Sequence, residues 1–107
     1  MVILYNKLVK GDDTMEIIVL EGNKYQVKID YKNGYDADEI RRLYTDYFKI
    51  YDYILGDWSY GKLRLKGFCK KENKHYNHRN ADETYQQYLK DYCAYDCRYC
   101  YLEKIND

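Results

Sequence analysis

The 107-residue sequence predicts an α+β fold: a mainly antiparallel sheet of about five to six strands, covered by two helices. Three observations carry that reading. Short β-prone runs bounded by turn residues recur at 16–31 and 51–68. Two other windows, about 37–50 and 82–94, place apolar residues every three to four positions. A chain of 107 residues buries roughly 60–68% of its unfolded surface, enough for one core and one domain. The boundaries are 1–14 as an N-terminal extension or extra strand and 15–107 as a single domain.

The elements follow in order. "MVILYNKLV" reads as a first strand, ended by the polar "KGDDT". Residues 16–20 and 25–31 form a hairpin around "EGNK". Val27, Ile29 and Tyr31 alternate with Lys28 and Asp30, which predicts one wet face on that strand. Asn33-Gly34 breaks the chain. Asp36 then suits a helix N-cap, with Glu39 three residues on as a capping box. Ile40, Leu43, Tyr44, Tyr47 and Tyr51 give the following helix an apolar stripe.

Two strands, 51–56 and 62–68, flank the aromatic turn "GDWSYG". Asp57 is suited to accept backbone N–H bonds and set that turn, and Gly61 to supply a positive φ. "KKENKHYNHRNA" reads as a long polar loop. A helix over about 82–94 carries Tyr85, Tyr88, Leu89, Tyr92 and Cys93 on one side, and "RYCYLEKI" closes the sheet.

Composition narrows the function. Sixteen tyrosines mean that phenol rings fill much of the core, and each buried hydroxyl then needs a partner. A net charge of +0 gives no global field toward nucleic acid or an anionic membrane. No run approaches the ~20 apolar residues of a membrane span, and the N-terminal run is short for a signal peptide. A cytoplasmic chain without a membrane partner is the expectation. Its four cysteines, Cys69, Cys93, Cys97 and Cys100, would then be thiols or metal ligands.

Three stretches, "YKNGY" at 31–35, "YDYILGDWSYGKLRLKGF" at 51–68 and "DYCAYDCRYCYLEK" at 91–104, resemble the YutD-like family of small Firmicutes proteins in order and spacing. The resemblance runs from about residue 16 to 105. It implies a cytosolic bacterial α+β domain of uncharacterised function, and it assigns no catalytic or ligand residue. Cys93 and Cys97 match the family pattern; Ser59 stands where a Gly is common and Cys100 where an aromatic is common.

The residues themselves favour a non-enzymatic binding module. Lys62, Arg64 and Lys66 alternate with Leu63 and Leu65, so a strand puts the three cations on one face about 7 Å apart. Lys70, Lys71, Lys74 and Arg79 extend the basic island, against the single acid Glu72. Cations beside Tyr35, Trp58 and Tyr60, with Asp57 in the turn, suit RNA, a ribonucleoprotein or an acidic protein surface. The bland reading is a solvated sheet face, with Trp58 sealing a small core.

The alternative function is a small zinc-binding or thiol-redox protein. Cys93, Cys97 and Cys100 have C-x3-C-x2-C spacing, and Cys69, His75 or His78 offers a fourth ligand. That spacing also occurs in radical SAM enzymes, but their motif opens a barrel and here only seven residues follow Cys100. Buried structural thiols are the commoner outcome. Nothing else points to an enzyme or an organic cofactor. Phosphate-binding glycine patterns are absent, Ser59 has no neighbouring His, and Asp52 and Asp57, each of which could pair with a Glu as acid and base, are common strand-end carboxylates.

The domain boundary makes the first prediction. Removing residues 1–14 should leave a chain with a single cooperative thermal transition by circular dichroism; a broad, non-cooperative melt would show that the first segment is needed for the sheet.

Overall fold

The computed structural model describes residues 16–93 and 96–105. The predicted strand at the N-terminus lies outside them. Five strands are described: β1 (Ile17–Leu20), β2 (Asn23–Tyr31), β3 (Tyr53–Ser59), β4 (Lys62–Phe68) and β5 (Tyr99–Ile105). They form one sheet in the order β1-β2-β5-β3-β4, and every neighbouring pair is antiparallel. The two hairpins therefore sit at opposite edges, and the C-terminal strand β5 inserts between them.

Each face of the sheet receives one helix. Helix α1 (Ala37–Leu43) and a 3-10 turn (Asp46–Ile50) supply Ile40, Tyr44 and Phe48 to a core with Ile18, Leu20, Tyr25, Val27, Ile54, Leu63, Cys100 and Leu102. On the opposite face, Leu55, Phe68 and Tyr101 are covered by Tyr85, Tyr88 and Leu89 of α2 (Tyr85–Tyr92). A short 3-10 turn (Asp82–Thr84) leads into α2.

Two-sided burial explains the departure in β2. Strict alternation would put Val27 and Ile29 on one face. Instead Val27 pairs with Leu102 and Ile29 with the adjacent Tyr101, so Lys28 is a β-bulge. The extra residue rotates Ile29 to the α2 side while Val27 stays on the α1 side. The single wet face expected for this strand is thus replaced by apolar residues on both.

The predicted 37–50 helix is also interrupted. Asp36 caps it as expected, accepting the Glu39 backbone N–H at 3.1 Å. Glu39 does not close the capping box; its carboxylate takes two bonds from Arg42, each 2.9 Å. The helix stops at Tyr44, and Thr45 accepts from the Tyr47 N–H to start the 3-10 turn. Tyr44 and Phe48 keep their i, i+4 spacing across the break and both face the core, with ring centroids 5.9 Å apart.

The many phenols are mostly partnered. The hydroxyls of Tyr25 and Tyr44 are 3.1 Å apart, and Asn23 donates to that of Tyr44 at 3.3 Å. Burial, reinforced by Tyr44, pushes the ionisation of Tyr25 far above its usual range. Tyr101 is an exception: its buried hydroxyl has no partner among the described residues. Its ring is stacked instead, against Tyr85 at 4.2 Å and Tyr53 at 5.1 Å.

Gly34 fits this packing because it lacks a side chain. A Cβ there would sit inside the backbone of Tyr99. Backbone cannot turn aside as a side-chain tip can. Gly34→Ala should therefore destabilise the domain by about 1–3 kcal/mol, an overpacking cost, read as a lower urea midpoint at unchanged slope; an unshifted midpoint would contradict the contact.

Candidate functional site

The β3–β4 hairpin positions most of the predicted site residues. The strand runs past Asp57 to Ser59, and Ser59 pairs with Lys62. The turn is the two-residue Tyr60-Gly61, both in the left-handed region at φ 54° and 77°. This is the turn that matches strand twist, and glycine suits its second position. The expectation that Asp57 sets the turn is therefore corrected. Asp57 lies within the strand, fully buried, and directly opposite Arg64.

That register creates a cross-strand ion pair. Arg64 Nη2 bonds Asp57 Oδ2 and also donates to the Tyr92 carbonyl at 2.9 Å, tying the end of α2 to the sheet. The bond to Asp57 raises the ionisation of the guanidinium further still. The other carboxylate oxygen, Oδ1, is buried with no hydrogen-bond partner among the described residues. A desolvated carboxylate is costly unless paired, so Arg64 is a structural cation as well as a surface one.

The basic stripe does share one side of β4, but its members are not equivalent. Lys62 is exposed. Lys66 lies over the rings of Phe68 and Tyr88, at 5.2 and 5.5 Å. Further along, Lys70 pairs with Glu103 at 3.1 Å and sits 5.7 Å from the Tyr53 ring. Lys66, His78, Arg79, Tyr88, Asp91 and Tyr92 line an open cleft of about 440 Å³. Sequence periodicity did not mark Tyr92 as a surface ring, because it shares the α2 stripe with core residues; at the helix end it is exposed.

The aromatic residues separate. Trp58 packs against the α1-side core and donates from Nε1 to the Gly34 carbonyl at 2.9 Å, while the Arg98 guanidinium covers its ring at 4.0 Å. Tyr35 is half-buried against the same core, and burial pushes its hydroxyl up to about 12. Tyr60 is the opposite case: it is 99% exposed at the hairpin tip. The site residues thus fall into a basic edge ending at Tyr60 and a separate Tyr35–Trp58 group on the other face.

The cysteines do not form one cluster. Cys69 and Cys100 are buried free thiols, and burial pushes Cys100 up to about 12. Cys93 and Cys97 are half-buried and joined in a disulfide, with Cα atoms 6.0 Å apart. For these two residues the expectation of reduced thiols is corrected. The local reason is that Cys93 ends α2 and Asp96, at φ 55°, turns the chain back. His75 lies in the exposed loop, where its backbone N–H bonds Asn73 at 2.8 Å. Among the described residues, the one group of three or more ligand-type side chains is Asp57, Cys93 and Cys97, with ligand atoms within 4.8 Å. Cys100 and His75 are not part of it. Asp52, weighed as an acid or base, organises the loop by accepting from the Lys70 N–H and Asn73 at 2.8 and 3.0 Å.

The two strand cations should respond differently to truncation. Arg64→Ala leaves a buried carboxylate unpaired and should cost about 3 kcal/mol, whereas Lys62→Ala should stay within about 0.5 kcal/mol. Urea unfolding of the two variants decides it, and equal losses would contradict the structural role of Arg64.

Comparison with known proteins agrees with this architecture. Residues 19–103 match a family model described as "Putative antitoxin YutD-like". A relative from Bacillus subtilis (strain 168), named "Putative antitoxin YutD", is 33% identical over 89 residues, covering 83% of this chain and 98% of its own. The solution NMR structure of protein yutD from B. subtilis superposes with a TM-score of 0.71 at 32% identity, covering 86% of this chain and 84% of the other. With sequence and fold both matched over most of its length, the chain belongs to the YutD-like family.

Proposed function

We propose that the chain is a non-enzymatic binding module whose working surface is the β4 edge, from Tyr60 through Lys62 to the Lys66–Arg79 cleft, and that its partner is a protein with an acidic face. The observation that carries this is Tyr60. The domain has two hairpins with the same turn, Glu21-Gly22 and Tyr60-Gly61, each with a non-glycine residue in the left-handed region. The backbone strain is common to both. Only the second turn places a large ring there, 99% exposed and outside both core clusters. Tyrosine and arginine are the residue types that most often anchor protein interfaces, and surrounding lysines steer an acidic partner.

The family description, "Putative antitoxin YutD-like", supports a binding role, since many antitoxins act by engaging the molecule they neutralise. A protein is favoured over RNA because few rings are free for base stacking. Trp58 and Tyr35 pack on the opposite face and Tyr88 is capped by Lys66, which leaves Tyr60 and Tyr92 at opposite ends of the surface.

The test uses the tagged full chain, recovered from its own cells beside a Tyr60→Ala, Lys62→Glu, Arg79→Glu variant. These exposed positions leave the Arg64–Asp57 pair intact, so the melting curve should not move. A protein should be retained by wild type and reduced at least tenfold by the variant. Equal retention would overturn the surface assignment. Retention of RNA alone, with a steep loss in added salt, would replace the protein by a single-stranded nucleic acid.

A further inference from the structure

We propose that Cys93, Cys97 and Asp57 form a binding site for a thiophilic divalent cation of the zinc class, closed when the two cysteines are oxidised and opened by reduction. The two proposals rest on different residues and are read by different measurements, so they fail independently.

Asp57 is 0% exposed, and only Oδ2 is satisfied, by Arg64. Oδ1 has no partner among the described residues, and an unpaired carboxylate oxygen in the interior asks for a cation or a donor. Its ligand-type neighbours are two sulfurs: one oxygen of Asp57 and the Sγ atoms of Cys93 and Cys97 all lie within 4.8 Å of one another. A tetrahedral zinc, with bonds of about 2.3 Å to sulfur and 2.0–2.2 Å to oxygen, needs ligand atoms roughly 3.4–3.8 Å apart. Once reduced, the sulfurs can separate to that distance by side-chain rotation, from Cα atoms 6.0 Å apart.

The surroundings suit such an ion. Arg64 occupies Oδ2 of Asp57 and leaves Oδ1 open, as an outer partner that orients a metal-binding carboxylate does. Two thiolates and a carboxylate against a divalent ion leave one negative charge, which the guanidinium offsets. A cavity of about 410 Å³, lined by Tyr31, Leu89, Lys90, Cys93, Asp96, Cys97 and Tyr99, opens beside the two cysteines. Three protein ligands and that opening leave the fourth position to water or a small ligand.

The chemistry balances with a low-molecular-weight thiol as reductant. Two such thiols give up two electrons, forming their own disulfide, and the Cys93–Cys97 bond becomes two S–H groups. Binding the cation then displaces both thiol protons to solvent as two sulfur–metal bonds form.

The experiment titrates the full chain, reduced with a phosphine and freed of metal, with Co²⁺ and then Zn²⁺. One cobalt per chain is expected, with a near-ultraviolet thiolate-to-cobalt band whose intensity corresponds to two sulfurs, and displacement by equimolar zinc. Chain left oxidised should show no band. Cys97→Ser should abolish it, Arg64→Lys should weaken binding by about 10–100-fold, and His75→Ala should change nothing. Asp57→Asn should shift the cobalt spectrum toward fewer protein ligands; should that variant fail to fold, the wild-type sulfur count and Cys97→Ser decide alone. No band in the reduced wild-type chain, or a band that survives Cys97→Ser, overturns the site.

Discussion

A carboxylate with no access to water, in the middle of a sheet, is the constraint around which this domain is arranged. Asp57 belongs to β3, one strand in from the β4 edge, and its charge is met from that edge by Arg64. Desolvating a carboxylate costs several kcal/mol, so the pairing has to be made every time the chain folds. Meeting it fixes the hairpin register, because a slip of one residue would turn Arg64 to the other face. The same guanidinium nitrogen holds the Tyr92 carbonyl, so the end of α2 is anchored by the bond that satisfies the sheet. Edge strand, central strand and second helix are thereby tied at one point.

Around that point the core is built from phenols, with different solutions on the two faces. On the α1 side, Tyr25 and Tyr44 meet edge to face and share their hydroxyls, so burial is compatible with polarity. On the α2 side, Tyr101 is sandwiched between Tyr53 and Tyr85, and stacking takes the place of a hydroxyl partner. Tyrosine suits a small domain because each ring buries a large area. Lys66 and Lys70 add their charge over the outer rings of the second layer, where the aliphatic stems also cover apolar surface.

Much of the fold was legible because its signals are local. The Asp36 cap, the Leu63–Leu65 alternation, the α2 stripe and the Gly61 turn each depend on a few neighbouring residues. What the chain did not disclose depends on contacts made far along it. The Lys28 bulge arises because β5 needs apolar partners on both of its faces, and β5 lies some seventy residues downstream. The helix break at Tyr44–Thr45 leaves no mark on the apolar period, because Tyr44 and Phe48 keep their i, i+4 spacing across it. For the site, the stripe was readable but its commitments were not. Lys66 belongs to ring faces on a helix twenty residues away, and the Cys93–Cys97 link brought neither Cys100 nor His75 with it. Arg64 could have been found: with the turn at Tyr60-Gly61, residues 57 and 64 must face each other, and opposite charges there are a favourable cross-strand pair. Placing the turn three residues early concealed it.

The position of Arg64 also bears on how the two proposed sites relate. Its side chain emerges on the same face as Lys62 and Lys66, yet its charge is spent inward on Asp57. A partner reaching the β4 edge therefore meets Lys62, Lys66 and Arg79 as the cations that can answer it, with Arg64 contributing only what Asp57 leaves. A divalent cation on the free oxygen of Asp57 would leave one negative charge on the group of two thiolates, carboxylate and ion, and that charge would keep the guanidinium of Arg64 turned inward. Linkage is reciprocal, so a partner that drew Arg64 outward would leave Asp57 less well oriented and weaken its hold on the cation. In these two proposals, a buried acid shared between a surface arginine and a pair of sulfurs would connect the thiol state of the chain to the charge of its exposed edge, without any movement of the sheet.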